Sequence, residues 1–146
     1  MAQAKRRASA TWSGTLKEGT GSLSATGGVL NNTPFSFKTR FQSEDGSAGT
    51  NPEELLAAAH AGCFTMATGA TMGQQGFTPT NLETKAVLTM DMDTLTVTAV
   101  DLTLTGSVPG LDQAKFEEIA NDAKQNCIIS RALSPNIKLT LTATLV

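Results

Sequence analysis

Two cysteines, one histidine and one arginine are the residues of this chain whose types and positions invite a chemical reading. Cys63 stands in Ala61-Gly62-Cys63-Phe64, an apolar run in which a thiol's pKa rises and the group is inert unless a cation is near. Arg40, just upstream, offers such a cation, and an arginine can sit beside a thiolate without surrendering a proton. Cys127 falls at the end of a second helical stretch, where the negative end of the helix dipole disfavours a thiolate. That suits it to follow rather than to lead. A thiolate that attacks a peroxide becomes a sulfenic acid, which condenses with a second thiol, and an external reductant must clear the resulting disulfide. Two thiols in unequal settings are the minimum equipment for that cycle, although two cysteines also serve as plain buried hydrophobes.

His60 lies three before Cys63 and can share its helix face. A Cys-His nucleophile pair, or a zinc site that includes Cys127, would use that placement. The chain has one His, and so no His-x-x-x-His spacing, and it has no Cys-x-x-Cys either, so a packed or interfacial histidine is the expectation. Phe64, Met66, Met72 and Phe77 are candidates for an apolar pocket that would favour alkyl or lipid hydroperoxides, and each serves equally well as core.

Several elements must position these groups. Ala8 to Trp12 and Gly21 to Thr26 read as short strands, with turn chemistry at Gly27-Gly28 and Asn31-Asn32. Phe35, Phe37, Thr39 and Phe41 alternate with Ser36, Lys38 and Arg40, a period of two that predicts a strand with Arg40 on its polar face. Glu44 to Gly49 reads as a loop. A helix start follows: Asn51 as cap, Pro52 at the first position, and Glu53 and Glu54 at the positive end of the dipole. The helix continues to about Gln75, with Gly76 as the stop. It has almost no polar face, which predicts burial on all sides. At roughly 35 Å it is long for a small domain, so a second subunit is expected to cover it. Ala86 to Met92 and Leu95 to Leu104 are strands, the second with a phase slip between Ala99 and Val100 that reads as a bulge or as a strand changing sides. Asp91 to Thr94 turns between them. A second helix over Asp112 to Asn126 gathers Phe116, Ile119, Ala120, Ala123 and Cys127 on one face, and Ile137 to Leu145 forms a last strand. The order ββ(β)-α-ββ-α-β makes the fold class α+β.

The chain has 146 residues, a formal charge of -2, 40% hydrophobic and 16% charged residues, enough for one domain with a core of its own. A single domain over 1–146 is expected, with 1–7 as a flexible tail. The basic cluster Lys5, Arg6 and Arg7 belongs to that tail, and nothing in the charge balance calls for nucleic acid. Leu55 to Leu82 lacks Asp, Glu, Lys and Arg but holds His60, Gln74, Gln75 and several Thr and Gly, too polar for a membrane span. Met1 to Ala10 shows no apolar leader core, and two cysteines do not make a secreted disulfide framework. The expected location is cytoplasmic.

The stretch Gly49-Thr50-Asn51-Pro52-Glu53-Glu54-Leu55-Leu56-Ala57-Ala58-Ala59-His60-Ala61-Gly62-Cys63-Phe64 resembles the peroxidatic helix of the OsmC/Ohr family, closer to the OsmC branch in its His60-Ala61-Gly62-Cys63-Phe64. Phe37-Lys38-Thr39-Arg40-Phe41 resembles the strand that bears the family's catalytic arginine. Ala123-Lys124-Gln125-Asn126-Cys127 with Ser130 resembles the segment that holds the resolving cysteine. The resemblance covers nearly the whole chain and departs at Ile128, where the family usually has proline.

It implies an OsmC-like fold of two antiparallel-rich sheets around a long buried central helix, in an intertwined homodimer with sites at the subunit interface. It implies Cys63 as peroxidatic, Cys127 as resolving, Arg40 as the thiolate's partner and Glu53 as the group that orients Arg40. It also implies organic hydroperoxide substrates, a lipoyl-type dithiol reductant, a role in oxidative and osmotic stress defence, and chemistry without metal, haem or flavin. Glu53 and Cys63 are ten apart, about 15 Å along one helix, so a site that joins Arg40 and Glu53 of one chain to Cys63 of the other is expected. Two readings from other classes stay open on the sequence: a stress-protective or binding module with merely buried cysteines, and a Cys-His acyl transferase or hydrolase.

Overall fold

The computed structural model describes residues 2–146. The chain divides into two compact units, Met1–Leu55 and Leu56–Val146. In the first, β1 (Ala8–Ser13), β2 (Thr20–Ala25) and β3 (Thr33–Phe35) form an antiparallel sheet in that order. The rings of Trp12 and Phe35 meet at 5.6 Å across Gly21. A Cβ on Gly21 would come within 2.7 Å of Trp12 and 2.5 Å of Phe35, so only glycine lets the two aromatics close over the sheet.

The strand expected through Phe41 stops at Phe35, and Phe37–Phe41 is instead a short helix, α1. Arg40 therefore sits on a helix, not a strand. Phe37 and Phe41 are four apart, a spacing that puts two side chains on one face of either element. Ser36 decides between them. Its Oγ accepts from the Thr39 N–H at 3.3 Å while its own N–H donates to Thr39 Oγ1 at 2.9 Å, a reciprocal cap that turns the backbone into a helix.

α2 (Pro52–Gln74) begins where the sequence signals place it: the Glu54 N–H donates to Asn51 Oδ1 at 2.7 Å. It ends at Gly76, φ +85°, where the Phe77 N–H closes back on the Met72 carbonyl at 3.0 Å. His60, Phe64, Thr68 and Met72, four apart in turn, form a fully buried line along it. Burial on all sides is not what the single chain shows. Ala59, Gly62, Met66, Ala70 and Gly73 form a second, exposed line, with Met66 at 78% exposure.

In the second unit β4 (Asn81–Asp91) pairs antiparallel with β5 (Thr96–Ser107), and β5 pairs parallel with β6 (Lys138–Leu145). The predicted bulge lies here: Thr89 faces Ala99 and Met90 faces Val97, which leaves Thr98 without a partner. The parallel pairing requires a crossover, supplied by α3 (Gln113–Asn126), capped by Asp112, and α4 (Ile128–Leu133), a short helix that the sequence patterns do not announce. Gln113 ties α3 to β6, donating to the Ala143 carbonyl at 2.8 Å and accepting from the Leu145 N–H at 2.7 Å. Phe116, Ile119, Ala120 and Ala123 of α3 pack with Leu102, Leu104, Phe64 and Met72 into the core. The Phe116 ring lies where a Cβ on Gly106 would come within 2.9 Å.

Candidate active site

The core built by α2, α3 and β5 brings two distant sulfurs together. Cys63 projects from α2 one turn after His60. Cys127 is the hinge residue between α3 and α4: its N–H donates to the Ala123 carbonyl, and its carbonyl accepts from the Arg131 N–H at 3.0 Å. Cys63 Sγ and Cys127 Sγ are 2.9 Å apart, both as free thiols, Cys63 half-buried and Cys127 with 1% of its surface exposed.

The electrostatics of this pair differ from the sequence expectation for Cys127. The residue ends α3, but it also caps the start of α4, so its sulfur meets N–H groups and not the negative end of a helix alone. Burial pushes the Cys127 thiol up, but the proximity of Cys63, of the Ser130 backbone and side chain and of the Ile129 backbone outweighs it, and the net direction is down. For Cys63 the direction is up, through burial first and then its hydrogen bond to Cys127, opposed by the Ile129 and Ile128 N–H groups. The Ile128 N–H is one that a proline at this position would lack.

His60 is fully buried and makes its hydrogen bond to Ser130, with Nε2 and Oγ 2.8 Å apart, rather than to a sulfur. It is the packed histidine the sequence suggests, and the Cys-His nucleophile pair does not form. Ser130, three residues after Cys127 and 2% exposed, is a site residue that the sequence motif includes but to which sequence reasoning gave no role. Its signal was only its spacing from Cys127. Burial holds the His60 pKa below the ordinary 6.5. The unfolded chain therefore takes up a proton near pH 6.5 that the folded chain refuses until lower pH. The stability this neutral histidine confers is full above 6.5 and falls as pH drops below it. Urea midpoints should decline between about pH 7.5 and about pH 5.5, and His60→Gln should remove most of that slope; a slope unchanged in the variant would assign it to other groups.

In the first unit, Arg40 of α1 and Glu53 from the first turn of α2 form the expected ion pair. Arg40 Nη2 lies 2.6 Å and Nε 3.0 Å from Glu53 Oε1, and Nε is 3.2 Å from Oε2. Nη1 has no partner among the described residues. The guanidinium also stacks 4.9 Å from the Phe41 ring centroid. Trp12, Leu16, Phe35, Phe37, Arg40 and Phe41 line a cavity of about 230 Å³ in this unit. The apolar pocket expected from Phe64, Met66, Met72 and Phe77 does not form: Phe64 and Met72 are core, Phe77 packs against it, and Met66 points outward. The family resemblance implied the two pairs, Cys63 with Cys127 and Arg40 with Glu53, and the residue pattern did not find the lining of the pocket.

The sequence model of a family described as "OsmC-like protein" matches residues 44–142. The chain belongs to the OsmC-like family. It is 42% identical over 136 residues to Peroxiredoxin OsmC of Escherichia coli strain K12, covering 92% of this chain and 93% of that protein. It is 32% identical over 102 residues to an organic hydroperoxide resistance protein of Xanthomonas axonopodis, covering 66% and 68%. The solved structure of the organic hydroperoxide resistance protein OhrB of Bacillus subtilis superposes with a TM-score of 0.65 at 27% identity, covering 94% of this chain and 97% of that one. The α+β architecture with two three-stranded sheets is thus the OsmC-like fold. No helix among the described residues is long and apolar enough to cross a membrane.

Proposed function

We propose that this chain is a thiol-dependent peroxidase that reduces organic hydroperoxides to alcohols, with Cys63 as the attacking residue and Cys127 as its resolving partner. The observation that carries this reading is the 2.9 Å approach of two sulfurs from opposite halves of the sequence. Similarity to Peroxiredoxin OsmC and to organic hydroperoxide resistance proteins supports the class of reaction.

The Cys63 thiolate attacks the terminal oxygen of R–O–OH. The O–O bond breaks, the alkoxide takes a proton and leaves as ROH, and Cys63 becomes a sulfenic acid. Cys127 then attacks the Cys63 sulfur, water leaves and an intramolecular disulfide remains, which a dithiol of the lipoyl type reduces. Access selects Cys63 for the first step: it is half-buried on a helix with an exposed line, whereas Cys127 is closed off. Because the local N–H groups favour charge on Cys127, the first step needs a further cation beside Cys63.

Arg40, held by Glu53, fills that role from a second copy of the chain. Two observations support a homodimer with sites at the subunit interface. Along α2 Glu53 and Cys63 stand about 15 Å apart, and the exposed line of α2 offers the small residues Ala59, Gly62, Ala70 and Gly73, with the apolar Met66 among them, for a second helix to cover. The aromatic cavity beside Arg40 suits the alkyl part of a hydroperoxide. The enzyme works in the cytoplasm, in defence against oxidative and osmotic stress.

With dihydrolipoate as reductant, the protein should consume cumene hydroperoxide faster than hydrogen peroxide, followed as peroxide loss. No turnover of either peroxide would leave the binding-module reading in possession.

A further inference from the structure

One buried titratable group has no part in the cycle above. His60 lies inside the core with 0% exposure, its Nε2 2.8 Å from Ser130 Oγ and its Nδ1 without a hydrogen-bond partner among the described residues. The unpartnered Nδ1 favours one direction for this hydrogen bond. A proton on Nδ1 would be a buried N–H with no acceptor, an arrangement far rarer in proteins than an under-used acceptor nitrogen. The neutral imidazole therefore carries its proton on Nε2 and donates to Ser130 Oγ. The Ser130 hydroxyl, having accepted that bond, directs its own proton elsewhere.

Two contacts of α2 with the α4 segment are in register. His60 and Cys63 are one turn apart on α2, and Ser130 and Cys127 are one turn apart across the start of α4. His60 meets Ser130 while Cys63 meets Cys127 at 2.9 Å. Ser130 is thus held one turn from Cys127, on the segment that also carries the sulfur.

We propose that His60 and Ser130 are a positioning pair that turns the Ser130 hydroxyl onto Cys127 Sγ, stabilises that sulfur as a thiolate and so speeds closure of the Cys63–Cys127 disulfide. The inference rests on the peroxidase reading above and adds two residues to it. The Ser130 hydroxyl is among the groups that lower the Cys127 pKa, which agrees with the direction of the hydrogen bond. In the step concerned, Cys127 attacks the sulfur of the Cys63 sulfenic acid and the S–O bond breaks. The departing hydroxide takes up the proton that Cys127 gave up and leaves as water. The Cys127 sulfur is oxidised by one electron-equivalent and the Cys63 sulfur reduced by one. Ser130 keeps its proton throughout and acts only as a donor.

The test separates the two chemical steps after one equivalent of cumene hydroperoxide is mixed with the reduced full-length protein. Sulfenic acid is followed by dimedone capture at Cys63, and disulfide by quenched-flow mass analysis. In Ser130→Ala, disulfide closure should slow about tenfold while sulfenic acid forms at the wild-type rate, so dimedone capture rises. Ser130→Thr should restore closure and the isosteric Ser130→Val should not, a pair that carries the test if the alanine variant is unstable. His60→Gln, which keeps a donor near the Nε2 position, should close faster than His60→Leu. Closure at the wild-type rate in Ser130→Ala and Ser130→Val, or equal slowing of both steps, overturns the proposal. Absence of any sulfenic acid in the wild-type protein overturns the peroxidase reading instead.

Discussion

Cys63→Ser should lose peroxidase turnover by on the order of 10³-fold or more, because it removes the only atom that forms a bond to the peroxide oxygen. A hydroxyl in this apolar setting stays protonated, and no neighbouring group takes its proton, since His60 is bonded to Ser130. The replacement is nearly isosteric at a half-buried position, so the fold should survive, which a thermal melt checks. Cys127→Ser should behave differently. It should complete the first reduction at an undiminished rate and then stall, with sulfenic acid at Cys63 open to capture by dimedone. Stopped-flow peroxide loss under single-turnover conditions reads both variants. If Cys63→Ser kept its turnover and Cys127→Ser lost the first reduction, the roles of the two sulfurs would be exchanged. The lowered pKa of Cys127 makes that a real comparison.

Arg40→Ala should reduce kcat/KM by about 10²-fold through loss of the cation that steadies the Cys63 thiolate. Arg40→Lys should recover little, because an ammonium cannot reproduce the two-atom grip on Glu53 made by Nε and Nη2. Glu53→Gln should sit between wild type and Arg40→Ala: it keeps a partner for Arg40 but loses the charge that fixes it. Subunit mixing gives the sharper result. If Arg40 serves the Cys63 of a second copy, equal amounts of Cys63→Ser and Arg40→Ala chains, unfolded and refolded together, should regain about a quarter of the wild-type rate. Half of the dimers would then be mixed and each would hold one intact site. Activity no higher than the mean of the two parents would place Arg40 with the Cys63 of its own chain or outside the site.

Much of this was legible before any coordinates because helix ends and apolar periods are local signals. Asn51-Pro52-Glu53-Glu54 fixes where α2 begins and Gly76 where it stops, and the slip after Ala99 betrays the bulge opposite Thr89 and Met90. The error at Phe37–Phe41 has an equally local cause: aromatics four apart satisfy both periods, and the deciding bonds run between Ser36 and Thr39, two residues that alternation treats as polar filler. What could not be read were consequences of the chain folding back on itself. Cys127 looks like the end of one helix until α4 turns out to start at the next residue and Cys63 to lie against it, and together these bring its pKa down rather than up. Ser130 looks like any polar residue until His60, distant in sequence, is found against it. Met66 resembled a core residue only because composition cannot tell the inner line of a helix from an outer line of the same character.

The most direct test of the central claim is a thiol count on the reduced protein, in denaturant, before and after one equivalent of cumene hydroperoxide, followed by peptide mapping under non-reducing conditions. The account predicts that both thiols disappear together, that each chain becomes lighter by two hydrogens, and that the peptides containing Cys63 and Cys127 of the same chain are linked. Two surviving thiols, loss of one thiol alone, or a link only between different chains would contradict it.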